Sequence, residues 1–179
     1  MAATVAGPLV AAFLLQISLY LLPGFPAARE WVRERLGPVR LAAVLAVGAV
    51  APYLVYSLPT GVFRFPALLK LAAIGGVLAF VYVAWPTRSR RLTWQDLVVL
   101  ATVAVAELGK QFREIYASPV EGLRVDILGR LMIVGVGATA LLSLRRLEGC
   151  GYRLGWSRED WKTGLRQFAL FLPIGVVAV

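Results

Sequence analysis

Residues Ala67 to Trp85 read ALLKLAAIGGVLAFVYVAW, an apolar run that carries a single charged side chain, Lys70, near its start. About 20 apolar residues in an α-helix are enough to cross the roughly 30 Å of hydrocarbon in a bilayer. The stretch therefore predicts a membrane-spanning helix. Lys70 lies close enough to the helix start to extend its ammonium group to the interface.

The rest of the sequence repeats this pattern of apolar runs between short charged segments. The predicted spans are residues 5–22, 41–58, 67–85, 93–108 and 127–144, and a partial apolar segment follows at 168–179. The fourth is the weakest span, because only ten apolar residues precede Glu107. The partial segment would reach about 18 Å as a helix, which is too short to cross. We expect either a half-helix there or a natural chain that continues past Val179.

The predicted fold class is all-α, a polytopic membrane helical bundle. It has about five transmembrane helices plus a truncated or re-entrant sixth, in a single domain over residues 1–179. The composition agrees with this class, since 59% of the residues are hydrophobic and only 16% are charged. In soluble domains about half of the residues are apolar and about a quarter are charged.

The residue types that are missing exclude several functions. Histidine is absent and cysteine occurs once, as Cys150. A Ser-His-Asp triad, a histidine-ligated zinc site and a disulfide framework are therefore excluded within this chain. We predict no catalytic residue and no metal site, and no haem, chlorophyll or metal ligand set is evident. Bound lipid or pigment stays open as an alternative.

The charge distribution predicts a partner and an orientation. The net charge is +9, and the basic residues lie in clusters between apolar runs, which favours anionic lipid headgroups over nucleic acid. With five crossings, 13 of the 19 basic residues lie on one face and 6 on the other. The positive-inside rule makes the first face cytoplasmic and places the N-terminus outside. If the fourth segment did not cross, 11 basic residues would lie on one face and 8 on the other, which is a weaker charge bias.

The tryptophans indicate the same orientation. They all fall at the predicted cytoplasmic boundary, where an indole ring is stable as an interfacial anchor. These anchors are Trp31, Trp85, Trp94, Trp156 and Trp161.

Two groups of ionisable residues are candidate sites. Asp126 and Arg130 have i,i+4 spacing, which places both on one helix face at the start of the fifth span. They are either a proton or ion relay or an interfacial salt bridge that positions the helix end. Glu107, with Lys110 and Gln111, is either a solvated helix end or part of a polar cavity.

Three further features are predicted to be structural. Gln16 lies in the middle of a span and should find a hydrogen-bond partner on another helix. Thr93 and Asp96 have the spacing of a capping box at a helix start. A set of small residues offers surfaces for close helix packing, although the same space could take a lipid or pigment tail. The set comprises Gly75, Gly76, Gly135, Gly137, Ala138 and Thr139.

Two segments resemble a known family. They are residues 110–131, KQFREIYASPVEGLRVDILGRL, and residues 144–175, LRRLEGCGYRLGWSREDWKTGLRQFALFLPIG. Both are similar to the region before the first catalytic motif in bacterial membrane proteases of the CAAX-protease and bacteriocin-processing family. The resemblance implies an all-helical, multi-span fold. For complete members it implies an intramembrane metal-dependent peptidase. The active site of such members uses a pair of glutamates followed by an arginine, then a phenylalanine-to-histidine motif, and then a further histidine with a nearby asparagine.

The sequence departs from this family at the catalytic motifs. No Glu-Glu pair is present, and the nearest candidate, Glu159-Asp160, is followed by Gly164 where the arginine should stand. No catalytic residue is carried over, although complete relatives are membrane endopeptidases. The main hypothesis is a non-catalytic N-terminal half, or a shortened relative, that acts as a scaffold in the bacterial inner membrane.

Two alternatives remain. The first is an accessory subunit of a larger respiratory or photosynthetic membrane complex that holds lipid or pigment. The second is a small transporter, and only Pro52, Asp126 and Arg130 favour it. The expected partners are the lipid bilayer and other membrane subunits, without nucleic acid.

Overall fold

The computed structural model describes residues 2–87, 91–145 and 162, and this part of the chain contains helices and no strand. The helices are α1 (Ala2–Leu21), α2 (Pro26–Thr60), α3 (Phe65–Ala84), α4 (Trp94–Leu108), α5 (Gln111–Ile115) and α6 (Ile127–Thr139). A short 3₁₀ turn, Leu22–Gly24, follows α1, and a π-helical turn, Ala140–Leu144, extends α6. The all-α class is thus confirmed for the described residues.

Three helical segments are long and apolar enough to cross a membrane. They are α2, α3 and Ile127–Leu144, which joins α6 to its π-helical turn. The apolar part of α1, Val5–Leu21, is shorter. The 15 residues of α4 reach only about 22 Å, less than the hydrocarbon core. Three candidate spans are therefore present in the described part, while the count of about five stays a prediction. The partial segment 168–179 lies outside the described residues.

Helix α2 is longer than the predicted span at 41–58, because the charged stretch before it is also helical. A kink at Gly37 separates the two parts, with φ 66° and ψ 172°. Glycine takes this positive φ at little cost, and Pro38 can then begin the second part, where a missing N–H does not matter. Gly61 ends the helix with φ 71°, and its N–H donates to the Leu58 carbonyl at 3.3 Å.

Small residues allow the helices to approach closely. Helix α1 packs against both α2 and α6, and α3 packs along α2, whereas α4 lies at the edge of the bundle against α3. A Cβ added at Gly75 would overlap the Ala49 side chain, and one at Gly135 would lie 3.3 Å from Tyr20 Cα. By contrast, Gly76 faces open space. Only some of the predicted small residues therefore mark packing surfaces.

The loops bring polar residues together at two ends of the bundle. We call one of them the Asp126 end. It contains the C-termini of α2 and α4 and the N-termini of α3 and α6. We call the other the Asp96 end. It contains the C-terminus of α3, the N-terminus of α4 and the last residue of the π-helical turn. The Asp126 end carries a cluster of ion pairs, and the Asp96 end carries a buried ion pair within a hydrogen-bond network. These two networks are the candidate sites.

Candidate functional site

The Asp126 end is organised around one buried carboxylate. Asp126 immediately precedes α6, and its side chain is only 7% exposed. Three guanidinium groups approach the same oxygen, Oδ2: Arg124 Nη2 at 3.3 Å, Arg130 Nη2 at 3.4 Å and Arg113 Nε at 4.0 Å. Loss of these counter-charges would leave an uncompensated buried charge, which is strongly destabilising.

Arg130 also connects two helices. Its Nε lies 3.6 Å from Glu107 Oε2 in α4, while its Nη2 contacts Asp126. The structure thus brings Asp126 and Arg130 together at the predicted i,i+4 spacing and adds Glu107 to the same network. The C-terminal part of α4 is tied to the start of α6 by these contacts.

A recess of about 150 Å³ lies beside this network, and we call it the Asp126 recess. Its lining residues are Ala106, Glu107, Lys110, Phe112, Arg113, Asp126 and Arg130. The backbone of Lys110 is left-handed, with φ 51°, which is uncommon for a residue with a side chain. Gln111 does not line the recess and instead donates to the Gly109 carbonyl at 3.3 Å.

Contacts from α2 and α3 hold the segment that carries the recess. Lys70 Nζ lies 2.7 Å from Glu114 Oε2, and this hydrogen bond and charge lower the pKa of the Glu114 carboxyl. The Tyr56 hydroxyl donates to the Ala117 carbonyl at 2.9 Å. Burial raises the pKa of the Tyr116 phenol above its ordinary value.

The Asp96 end holds a second, more deeply buried network. Arg145 Nη2 lies 2.8 Å from Asp96 Oδ2, and the same guanidinium donates to the Arg91 carbonyl at 2.7 Å. The Tyr82 hydroxyl donates to Asp96 Oδ1 at 2.7 Å, and the Thr93 N–H donates to Oδ2 at 2.8 Å. The predicted capping box at Thr93 and Asp96 is therefore present.

Sequence reasoning missed the partner of Asp96. Arg145 is one of the basic residues that lie between apolar runs, and nothing local links it to a residue so far away in the chain. The positions of the two residues relative to the apolar segments could have predicted the contact. Asp96 lies at the start of one apolar helix, and Arg145 follows the end of another that runs in the opposite direction. Two such residues lie at the same end of a bundle.

The prediction for Gln16 is wrong in the described part of the chain. Its side chain is fully buried, yet neither its amide nitrogen nor its amide oxygen has a hydrogen-bond partner. The contacts that flank this part of α1 are apolar or involve glycine, with Leu19 against Gly48 and Tyr20 against Gly135. The small residues at these positions let α1 pack closely against α2 and α6, while the buried Gln16 amide stays unpaired.

The predicted interfacial anchors are partly described. Trp31, Trp85 and Trp94 are exposed, and the rings of Trp85 and Trp94 pack edge to face at 5.1 Å between centroids. Trp156 and Trp161 lie outside the described residues, as do Cys150 and the Glu159-Asp160 pair. Within residues 2–87 and 91–145 there is no group of three or more metal-ligating side chains.

Comparison with known proteins adds no relative. The sequence matches no protein-family model, and neither curated proteins nor solved structures show a similar chain.

Proposed function

We propose that this protein is an integral membrane protein that acts as a helical scaffold. Its role would be that of the non-catalytic N-terminal half of a CAAX-protease and bacteriocin-processing membrane protease, which residues 110–131 and 144–175 resemble. The proposed location is the bacterial cytoplasmic membrane, with the N-terminus outside and the Asp96 end on the cytoplasmic side.

The exposed apolar side chains along the helices support this proposal most directly. A soluble monomer rarely exposes large contiguous apolar patches, whereas lipid-facing helices require them. On α4 alone, Leu97, Leu100, Val105 and Leu108 are exposed, the last of them to 83%. Similar residues on other helices include Val10, Leu14, Val44, Val47, Leu69, Val77, Phe80 and Val134.

Fractionation of cells that express the full chain tests the membrane assignment. We expect the protein to stay in the membrane pellet after alkaline carbonate washing and to be released by detergent. Release by carbonate, or a monodisperse protein in buffer without detergent, would contradict the proposal.

A second candidate function is an accessory subunit of a larger membrane complex. A groove of about 470 Å³ between α3 and α4 favours it, because its walls are mostly apolar, with Ala73, Ile74, Val98, Ala101 and Val105 among them. A lipid or pigment tail would fit such a surface. Mild detergent extraction followed by native mass spectrometry tests it: stoichiometric bound subunits support this function, and an isolated polypeptide contradicts it.

A further inference from the structure

We propose that the Asp126 recess binds a phosphate-type anion, either free or as the headgroup of an anionic phospholipid. This site goes beyond the scaffold role, because a scaffold needs no ligand at that end of the bundle. The charges, the hydrogen-bond donors and the space around Asp126 all suit such an anion.

The charges around the recess do not balance. Four cationic side chains belong to the cluster, those of Lys110, Arg113, Arg124 and Arg130, against the two carboxylates of Glu107 and Asp126. Both carboxylates are already engaged, Glu107 by Arg130 and Asp126 by three guanidinium groups. The cluster therefore has a surplus of two positive charges, which favours an anion over a metal cation.

The hydrogen-bond donors are also in surplus. Each guanidinium carries five N–H donors, while Arg113, Arg124 and Arg130 converge on one carboxylate oxygen. Asp126 thus holds the arginines near one another but uses only a small part of their donors. Planar guanidinium groups pair well with the oxygens of a phosphate.

Lys110 provides a further cation at the same place. It lines the recess and forms no ion pair within the described part of the chain. Its left-handed backbone, with φ 51°, is a conformation that costs free energy for a lysine. Glycine or asparagine would suit that turn better, so the structure alone does not explain a lysine there. Its ammonium group is available to an anion in the recess that it lines.

The space is sufficient for such a ligand. The recess measures about 150 Å³, and cavities of about that volume accommodate a benzene-sized molecule in other proteins. Arg113 and Arg130 are about half exposed, so a ligand can reach them from outside. Because exposed charges are screened by salt, binding should weaken as ionic strength rises.

The test uses the full chain purified in a neutral detergent, with inorganic phosphate as the probe in a calorimetric titration. The site variant is Lys110→Asn with Arg113→Gln: asparagine tolerates the left-handed backbone, and Arg113 makes only the longest of the three contacts to Asp126. The matched control is Arg40→Gln with Arg35→Gln, which removes two charges at exposed positions of α2. Thermal unfolding checks that each variant is folded, and Lys110→Asn alone replaces the double variant if that one is unstable.

A second arm distinguishes the source of the anion. The protein is placed in nanodiscs of phosphatidylcholine with or without phosphatidylglycerol, and retained lipid is counted by native mass spectrometry. Saturable binding of inorganic phosphate shows that the recess takes the free anion. Retention of phosphatidylglycerol without phosphate binding shows that it takes the lipid headgroup.

In either arm, we expect binding to weaken about tenfold or more in the site variant, since each charge-assisted hydrogen bond lost is worth about that factor. Binding should change little in the control. No saturable binding in either arm overturns the proposal. Equal weakening in the site variant and the control also overturns it, because that result shows only the general positive charge of the protein.

Discussion

Arg145 and Asp96 form an ion pair whose side chains are only 6% and 5% exposed, with 2.8 Å between Nη2 and Oδ2. The pair joins the start of α4 to the end of the π-helical turn that follows α6. Helix α4 otherwise lies at the edge of the bundle and packs mainly on α3. The ion pair therefore fixes the position of α4 at the Asp96 end, as Arg130 does through Glu107 at the Asp126 end.

Replacement of Asp96 by asparagine should destabilise the protein strongly. Asparagine keeps the size of the side chain and an oxygen that can accept the Thr93 N–H, but it leaves the Arg145 charge buried without its counter-ion. Such a change costs about 3–5 kcal/mol of unfolding free energy, which reversible unfolding in mixed detergent micelles measures. The control is Glu30→Gln, which breaks an exposed pair with Arg33 at 2.8 Å and should cost less than about 1 kcal/mol. Similar losses in both variants would contradict the burial argument.

Removal of both charges should lower the unfolding free energy by less than the sum of the losses from Asp96→Asn and Arg145→Gln alone. The variant with Asp96→Asn and Arg145→Gln leaves no unpaired buried charge, so its loss of unfolding free energy should be smaller than the sum of the single losses. We expect a coupling of about 1–3 kcal/mol in a double-mutant cycle. Additive losses would show that the two residues stabilise the fold independently.

Two neighbouring glycines in α3 should respond in opposite ways to alanine. A Cβ at Gly75 would overlap Ala49 of α2, whereas one at Gly76 meets nothing within 4 Å. Gly75→Ala should lower the unfolding free energy by about 1–3 kcal/mol, because the two helices must move apart. Gly76→Ala should raise it slightly, since alanine is the better helix former. The same unfolding assay measures both, and an equal response from the two positions would contradict the packing described for α2 and α3.

The sequence predicted the parts of this fold that depend on local pattern. The runs at 67–85 and 127–144 correspond closely to α3 and to the segment Ile127–Leu144, because apolar length and charged flanks determine where such helices begin and end. The capping box at Thr93 was predictable for the same reason. The pairing of Asp126 with Arg130 followed from helical spacing alone.

The remaining features depend on which helices become neighbours. Asp96 meets Arg145 only because α4 and α6 run antiparallel to a common end, and no local pattern encodes that contact. The unpaired amide of Gln16 was missed for a related reason: Gln16 is buried in α1, which packs against α2 and α6, and its own sequence does not specify which side chains face it. The left-handed Lys110 was also missed, since asparagine or glycine is the usual signal for that conformation.

The two ends of the bundle should face opposite sides of the membrane, and this can be tested with single cysteines. Cys150 is first replaced by serine, after which Pro86→Cys and Glu121→Cys each introduce one thiol at an exposed position. Pro86 follows α3 at the Asp96 end, and Glu121 lies in the segment that precedes α6 at the Asp126 end. With the basic clusters cytoplasmic, an impermeant maleimide should label Glu121→Cys in intact cells and Pro86→Cys only after lysis. Labelling of both in intact cells, or of Pro86→Cys alone, would overturn the orientation. Protection of both would mean that α4 does not cross, which would leave only the longer helices as spans.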